Sequence, residues 1–419
     1  MADRRDFRLL WWGQAVSQLG SRGFHIAYML WVVAMTGSAT QAGVAGTVML
    51  GTSTLGQLPA GWLADRLDAR RLMIGCDLAS AAAALSLAAA AFAGRYSLVH
   101  LVVAGAVLGL GWGTRSTAEA VALPQLVTKD ELPGAAALNE ARSHAVGLAG
   151  PPLGAALFSL ARALPFLFDG LSYLVAMVCT ASMRTPLRTA TTPTDRHPLR
   201  EIADGLLAFW HQRFVRVTAV LTAMNELVVA SMALLIIVQL RDAGASPVAT
   251  GVVFAFGSLG GLAGATVAAP LQRLISPRSL LVAMPAIGTG AVLAVQAAPA
   301  TWAIGLAFGV LMMVLAVWDA FLAGRWLAVT DAAVRGRVLS AAGTVATVPA
   351  IGAPVASGVA LEHLGRQGCV LILAGILAAV ALVASRSVGK WSAGGSRHSA
   401  RFVSTTVRAP VSGGQRKVP

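Results

Sequence analysis

The sequence contains few charged residues for its length. Asp, Glu, Lys and Arg make up 12% of its 419 residues, whereas hydrophobic residues make up 56% and the mean hydropathy is +0.71. A soluble domain carries about 25% charged residues. The composition therefore excludes a water-soluble globular protein and predicts an integral membrane protein.

Cysteine is scarce as well. The three cysteines, Cys76, Cys179 and Cys369, lie far apart and within apolar runs. This spacing fits neither a disulfide framework nor a metal site. We interpret all three as small apolar packing residues and expect no bound metal.

Sequence motifs of several enzyme classes are missing. The chain has no G-x-x-x-x-G-K-[ST] loop, which excludes this means of hydrolysing ATP as its energy source. It also lacks H-E-x-x-H and G-x-S-x-G, which argues against an intramembrane protease or esterase. We expect a protein that is not an enzyme and needs no cofactor.

Long apolar runs fill most of the chain, and there are twelve of them. Crossing a bilayer as a helix takes about 20 residues. A barrel would instead need short segments that alternate apolar and polar residues. The runs lie at about 9–35, 42–64, 72–94, 98–123, 134–162, 165–184, 214–240, 248–271, 279–298, 301–328, 336–362 and 368–386. They predict an all-α integral membrane protein with twelve transmembrane helices.

The basic residues follow a topological pattern. The net charge is +14, which by itself would suit a nucleic-acid partner. However, 24 of the 32 Lys and Arg fall on the side of the termini, four fall on the other side and four lie inside apolar runs. This bias predicts a multi-pass cell-membrane protein with both termini in the cytoplasm. The excess charge then attracts anionic lipids, and we expect no nucleic-acid partner.

The domain organisation follows from the connections. Short external loops make neighbouring helices antiparallel, and one long interior segment divides the runs into six and six. We predict an N-terminal bundle at 1–184, a cytoplasmic linker at 185–213, a C-terminal bundle at 214–386 and a disordered basic tail at 387–419. Within the linker, Glu201–Trp210 is typical of a short amphipathic surface helix.

One charged loop occurs twice, about two hundred residues apart. The first copy, Gly61–Arg71, joins the second and third runs and includes Asp65, Arg66 and Arg71. A weaker copy lies at 268–278, between the eighth and ninth runs. A hydrophobic chain that repeats its own topology usually moves solutes, because binding sites form between the repeats.

Small residues and prolines mark the fifth run. Small residues let helix backbones approach closely, and proline removes ladder hydrogen bonds and bends a helix. We expect a packing seam that bends here, with a counterpart at Gly352–Pro354. The residues of the motif are Gly147, Gly150, Pro151, Pro152 and Gly154.

These motifs resemble those of the major facilitator superfamily over roughly residues 5–386, in particular its exporter branch with the enterobactin and macrolide effluxers. The loop at Gly61–Arg71 and the element at Gly147–Gly154 carry the resemblance, together with Ala122–Val127 and Arg335–Ser340. It implies two pseudo-symmetric six-helix bundles, a monomeric protein, and a central cavity lined by helices 1, 4, 7 and 10.

The repeated loop is interpreted as a gate. Asp65 could face the N-terminus of helix 11, whose free N–H groups attract an anion, while Arg66 and Arg71 anchor the loop. We expect Asp77 and Glu140 to support this latch by pairing with nearby arginines. The alternative is an ordinary charged turn. Asp169 is interpreted separately as an anion at the start of helix 6.

Charged groups inside apolar runs mark pathways or partners. We expect Glu226, beside Asn225, to respond to protons and to face Arg22 across the cavity. Arg115 and Glu119 are spaced i, i+4 and are expected to pair with each other. The candidate substrate and proton pathway comprises Arg22, His25, Arg115, Glu119, Asn225, Glu226 and Asp319.

Together these features predict a secondary active transporter that exports small amphipathic organic molecules, such as a drug, antibiotic or siderophore, in exchange for protons. Two alternatives remain. One is an importer of the same superfamily. The other is a non-transporting lipid-handling or sensory membrane protein on the same scaffold. His25 is either a proton relay or a hydrogen-bonded wall residue. Arg115 follows the glycine run 109–113 instead of preceding it, so it departs from the arginine element of the superfamily.

Overall fold

The computed structural model describes residues 4–66, 68–128, 130–185, 187, 207–330 and 335–388. This part of the chain is helical and contains no strand. The first six helices are α1 (Arg4–Thr36), α2 (Ala39–Arg66), α3 (Ala69–Phe92), α4 (Leu98–Leu126), α5 (Leu132–Leu160) and α6 (Leu164–Ala181). The next six are α7 (Arg213–Asp242), α8 (Pro247–Leu274), α9 (Pro277–Ala297), α10 (Thr301–Val329), α11 (Arg335–Ile351) and α12 (Ala353–Val388).

Serine side chains begin several of these helices. The hydroxyl groups of Ser97, Ser246 and Ser276 accept hydrogen bonds from backbone N–H groups in the first turns of α4, α8 and α9. Such caps satisfy donors that have no partner within the helix. Pro247 and Pro277 follow two of the caps, where the missing N–H of proline costs nothing. The sequence therefore fixes these helix starts locally.

The eleventh and twelfth crossings share α11 and α12. A one-residue turn at Gly352 separates the two helices, and α12 itself reverses at Gly365, which has φ 66°. Glycine adopts this left-handed conformation without steric cost. The chain thus crosses through α11 and the start of α12 and returns after Gly365, which gives the twelve predicted crossings.

Length and composition support a membrane-spanning protein. Within the described residues, eight helical segments are long and apolar enough to cross a bilayer, and one of them, Val338–Arg386, contains 49 residues and both final crossings. Helices α1, α2 and α5 have 33, 28 and 29 residues, which is sufficient by length. The protein is a multi-pass membrane protein.

The helices pack as two groups. In the first, α6 packs against α1 and α3, and α4 packs against α2 and α3. In the second, α10 packs against α8 and α9, while α12 packs against α7 and α9. The predicted linker helix lies partly outside the described residues. Of its neighbourhood, 207–211 is helical, with Phe209 buried against Val215 and Val338. Of the predicted basic tail, residues 387 and 388 belong to α12, and the rest lies outside the described residues.

Two seams join the groups, α2 against α12 and α5 against α8. We call the end of the bundle where α1 begins the terminal end, and the other the opposite end. At the opposite end, Glu362 accepts hydrogen bonds from Ser38 and Thr40. Deeper in that seam, Thr47 accepts one from the backbone N–H of Val355 at 3.1 Å. In the other seam, the Ser258 hydroxyl donates to a carbonyl oxygen of α5 at 2.7 Å.

Candidate functional site

Two buried ion pairs connect the helices of the first group. The Arg115 guanidinium lies 2.6 Å from Asp77 on α3, and both side chains are buried. One turn further along α4, Glu119 pairs with Arg142 of α5 at 2.8 Å and also accepts a hydrogen bond from Gln14 of α1. Buried charges need such partners, because an unpaired one is strongly destabilising. The network ties α1, α3, α4 and α5 together.

These partners differ from the expected ones. Arg115 and Glu119 share a face of α4 but do not pair with each other, because α3 and α5 offer each an opposite charge. Asp77 pairs with Arg115 instead of an arginine of the loop. It lies six residues beyond Arg71, which is about 9 Å along a helix, and is fully buried.

Glu140 and Asp169 also have surroundings other than those expected. Glu140 pairs with His144 one turn along α5, at 3.1 Å, with its side chain 72% exposed. Asp169 is fully buried and is hydrogen-bonded to Ser21 of α1. A short polar side chain near a helix start can face a neighbouring helix as easily as its own N-terminus, and only packing decides between the two.

A second set of ionisable groups is accessible at mid-helix. Arg22 and His25 on α1 and Asp319 on α10 are exposed, and Glu226 on α7 is half-buried. Glu226 and Asp319 lie close enough to influence each other electrostatically. Among the described residues, Arg22 and Glu226 form no ion pair. Accessible charges deep in a helical bundle are typical of a cavity wall, which is the position that the sequence predicts for these four.

Two tryptophans of α10 donate hydrogen bonds to threonines of α7. Trp318 donates to the Thr222 hydroxyl at 3.0 Å, and Trp326 donates to the Thr218 hydroxyl at 2.7 Å. Asn225 is buried, and neither of its amide atoms has a hydrogen-bond partner within the described residues. The two indole hydrogen bonds join the helix that carries Glu226 to the helix that carries Asp319. The described residues contain no cluster of His, Cys, Asp and Glu side chains that could hold a metal ion.

The glycines of α5 face two different neighbours. Gly150 packs against Arg22, and Gly154 packs against Gly23, both on α1. Gly147 instead faces α8, where its carbonyl oxygen accepts the hydrogen bond from Ser258. Helix α5 also continues through Pro151 and Pro152 without interruption. It is therefore wedged between α1 and α8, one helix from each group.

The gating loop is described in part. Gly61, Asp65 and Arg66 belong to the last turns of α2, but their side chains lie outside the described residues, so the contact with α11 stays a prediction. Arg71 is exposed. Asp68 caps α3 by accepting a hydrogen bond from the backbone N–H of Arg70 at 2.9 Å.

Two features were missed by sequence reasoning. One is Glu362, whose only sequence signal is an acidic residue at the end of an apolar run. The other is a cavity of about 470 Å³ at the terminal end between α1, α4 and α5. Its lining includes Phe7, Trp11, Trp12 and Arg8. Aromatic residues at a run's start suggest membrane-interface anchors, so the sequence gives no sign that they line a cavity.

The family follows from the sequence as a whole. Residues 10–354 match the family model of the Major Facilitator Superfamily. The chain belongs to the major facilitator superfamily. This confirms the family and the twelve-helix fold expected from the motifs. Among curated relatives, macrolide efflux protein A of Streptococcus pyogenes is 27% identical over 209 residues, which is 48% of this chain and 50% of that protein. The chain thus spans about half the length of the curated relatives it matches.

Solved transporters share this superfamily fold. A bacterial homologue of the human lysosomal transporter Spinster, in an inward-facing and unoccupied conformation, has a TM-score of 0.73 and 14% identity, over 93% of this chain and 99% of that one. The nucleoside transporter NupG has a TM-score of 0.71 and 10% identity, over 90% and 98%. A bacterial metal transporter has a TM-score of 0.66 and 17% identity, over 94% and 99%. The superfamily and its fold are those of membrane transporters, not enzymes.

Proposed function

We propose that this transporter exports small amphipathic organic molecules in exchange for protons, by alternating access in the cytoplasmic membrane. Residues 1–184 and 214–386 are then the two moving bundles, and 185–213 is the cytoplasmic linker between them. The main observation in support is that two carboxylates at mid-helix, Glu226 and Asp319, are accessible. Such carboxylates within a membrane protein are typical of proton relays and ion pathways.

Charge balance supports proton coupling. Glu226 and Asp319 share the second bundle, while Arg22 and His25 lie on α1 of the first. Two carboxylates near each other resist simultaneous ionisation. In our proposal a proton occupies the pair when the solute leaves and is released when solute binds. Glu226 takes the main proton, and Asp319 modulates its affinity.

Export is supported by the partial similarity to macrolide efflux protein A. The positive-inside bias supports cytoplasmic termini. With that orientation the opposite end is external, and it is there that Glu362 joins the bundles. The described conformation then corresponds to an inward-facing state. Asp65 would close the cytoplasmic side in the outward-facing state.

The test is dye efflux from cells that lack their own major exporters. Cells expressing the protein should accumulate less of a fluorescent amphipathic dye, and a protonophore should abolish the difference. Glu226→Gln should remove proton-driven efflux while leaving expression and membrane insertion unchanged. Glu140→Gln is the matched control, because Glu140 is an exposed carboxylate on α5, and it should transport like the wild type.

Two outcomes would overturn the proposal. Efflux in Glu226→Gln at the wild-type rate would remove Glu226 from the mechanism. Greater dye uptake that depends on a proton gradient would show that the protein is an importer, the first of the two alternatives. If neither the dye nor a panel of antibiotics moves in response to a gradient in vesicles, the protein is a non-transporting member of the superfamily.

A further inference from the structure

Asp169 is a buried carboxyl group that has no cationic partner in the described part of the chain. It lies on α6, level with the middle of α1, and its side chain is fully buried. One of its oxygens, Oδ2, has no hydrogen-bond partner within the described residues. Every other buried carboxylate named above, Asp77 and Glu119, pairs with an arginine. A buried and unpaired carboxylate is costly, and such groups are usually neutral.

Among the described residues, the helices around Asp169 offer it no compensating charge. Helix α6 packs against α1, α3 and α5. On α1, Arg22 follows Ser21 in the sequence, but it is exposed and packs against Gly150 of α5. On α3, Asp77 is paired with Arg115 of α4. The ionisable groups of α5 are Glu140, Arg142 and His144, and each is paired elsewhere.

Ser21 lies within hydrogen-bonding distance of three polar groups. Its hydroxyl oxygen lies 3.0 Å from the Ser17 carbonyl oxygen, 3.1 Å from Asp169 Oδ1 and 3.0 Å from the Tyr173 hydroxyl. Ser21 and Tyr173 supply one hydrogen atom each. If Asp169 is ionised, the Ser17 carbonyl oxygen and Asp169 Oδ1 share the single Ser21 hydrogen. If Asp169 is protonated, it supplies a third hydrogen, and each contact has its own.

A protonated Asp169 satisfies the whole group. Its O–H and that of Tyr173 both donate to the Ser21 oxygen, and the Ser21 hydroxyl donates to the Ser17 carbonyl. Ser21 then uses its one hydrogen and both lone pairs. With an ionised Asp169, the charge would receive only a shared hydrogen bond from Ser21 at Oδ1, and Oδ2 would have no donor among the described residues. We propose that Asp169 is a proton-binding site of the first bundle, separate from Glu226 and Asp319.

A polar route leads from this site to the ion pairs. Tyr173 also lines a cavity of about 20 Å³ with Gln14, Arg115 and Ser116. A polar cavity of that size can hold one water molecule, which needs about 10–15 Å³. A proton arriving there can be passed to Tyr173 and Ser21, each hydroxyl accepting one proton and releasing its own. Both hydroxyls end unchanged, and the carboxylate of Asp169 becomes a carboxylic acid.

The role of Asp169 in transport rests on the proposed proton coupling, but its protonation does not. Helix α1 carries Ser21 toward α6 and Arg22 toward α5 and the cavity. A tilt of α1 during transport would therefore change both the cavity wall and the contacts of Asp169. We infer that the first bundle binds one proton in the described conformation and can release it in another.

Infrared spectroscopy of the purified protein in lipid nanodiscs tests the protonation directly. The wild type at neutral pH should show a carbonyl-stretch band of a protonated carboxyl group that is lost in Asp169→Asn. Ser21→Ala should shift that band, because the carboxyl group loses its acceptor. Asp242→Asn is the control: Asp242 is an exposed carboxylate at the end of α7, and its replacement should leave the band unchanged. Thermal unfolding shows whether each variant is folded.

Other outcomes would overturn the inference. If Asp169→Asn removes only ionised-carboxylate absorption, Asp169 is not protonated. If that absorption responds to sodium, the site binds a metal ion instead. If Asp169→Asn does not fold, Ser21→Ala and Tyr173→Phe provide the test instead. A carbonyl-stretch band that is unshifted in both variants would show that it does not come from Asp169. In vesicles, the Asp169→Asn variant should move fewer protons per solute, and an unchanged ratio would exclude it from coupling. The spectroscopic result stands even if no proton-driven transport is found.

Discussion

Glu362 of α12 binds both the backbone N–H and the hydroxyl group of Thr40 at the start of α2, at 3.0 and 2.7 Å. Its carboxylate also accepts a hydrogen bond from the Ser38 hydroxyl at 2.6 Å. An anion is favourable at a helix N-terminus, where the N–H groups and the helix dipole both attract it. In the α5–α8 seam, Gly251 instead packs closely against Pro151. The α2–α12 seam therefore includes a charged contact at the opposite end, in addition to close packing such as that of Gly358 against Ala39.

Glu362→Gln should open the opposite end of the bundle more often. The group is exposed, so solvent weakens its hydrogen bonds, and we expect a loss of about 1 kcal/mol. That corresponds to about a fivefold change in the ratio of the two states. Single cysteines near Ser38 and Glu362 should react faster with a water-soluble thiol reagent. Asp242→Asn, an exposed carboxylate change at the same end, should have no effect. If the cysteines react equally fast in both variants, the Glu362 hydrogen bonds do not hold the opposite end closed.

Replacing Asp77 should destabilise the first bundle strongly. Asp77→Leu leaves the Arg115 guanidinium buried without a partner, and breaking a buried pair in this way costs about 3–5 kcal/mol. The midpoint of thermal unfolding in detergent should fall. The double variant Asp77→Leu/Arg115→Met should recover most of the loss, because apolar residues can replace a buried pair. Glu140→Gln, which breaks an exposed pair, should change stability by less than about 0.5 kcal/mol. A double variant no more stable than Asp77→Leu would refute pairing as the cause.

The two faces of α5 should respond differently to an added methyl group. In Gly154→Ala the new Cβ would overlap the backbone of Gly23 on α1, and backbone cannot move aside as a side chain can. Overpacking of this kind costs about 1–3 kcal/mol. In Gly147→Ala the nearest atom would be Ser258 Oγ at 3.5 Å, an ordinary contact, so stability should be kept. Thermal unfolding of both variants checks this contrast, and equal midpoints would contradict it.

Asp65→Asn should weaken closure of the terminal end. If Asp65 faces the start of α11, the variant loses a contact with the helix dipole of about 0.3–1 kcal/mol. The protein should insert normally but transport poorly, and cysteines at the terminal ends of α2 and α11 should become more reactive. Gln272→Ala tests the second copy of the loop, which already lacks the charge, and its effect should be smaller. If both variants behave alike, the loop is an ordinary turn.

Several features were determined by the sequence alone. Runs of about 20 apolar residues form helices in lipid, because their backbone must satisfy its own hydrogen bonds. That constraint acts locally, so the number and order of crossings could be predicted. The cap at Asp68 is also a local feature, because its side chain meets the backbone two residues away. Motifs such as Gly61–Arg71 and Gly147–Gly154 are local as well. Each is a short run of neighbouring residues, so the superfamily could be recognised from the sequence.

Tertiary structure decided the partners of the buried charges. Arg115 has an acidic residue four positions away, yet it pairs with Asp77 on another helix. Asp169 looked like a helix-start anion, but it contacts Ser21, 148 residues distant. Glu362 joins α2 from 322 residues away. Helix periodicity gives the face on which a side chain lies, but not the rotation of each helix or its neighbour. Those follow from close packing of the whole bundle, where small residues such as Gly154 set how near two helices come.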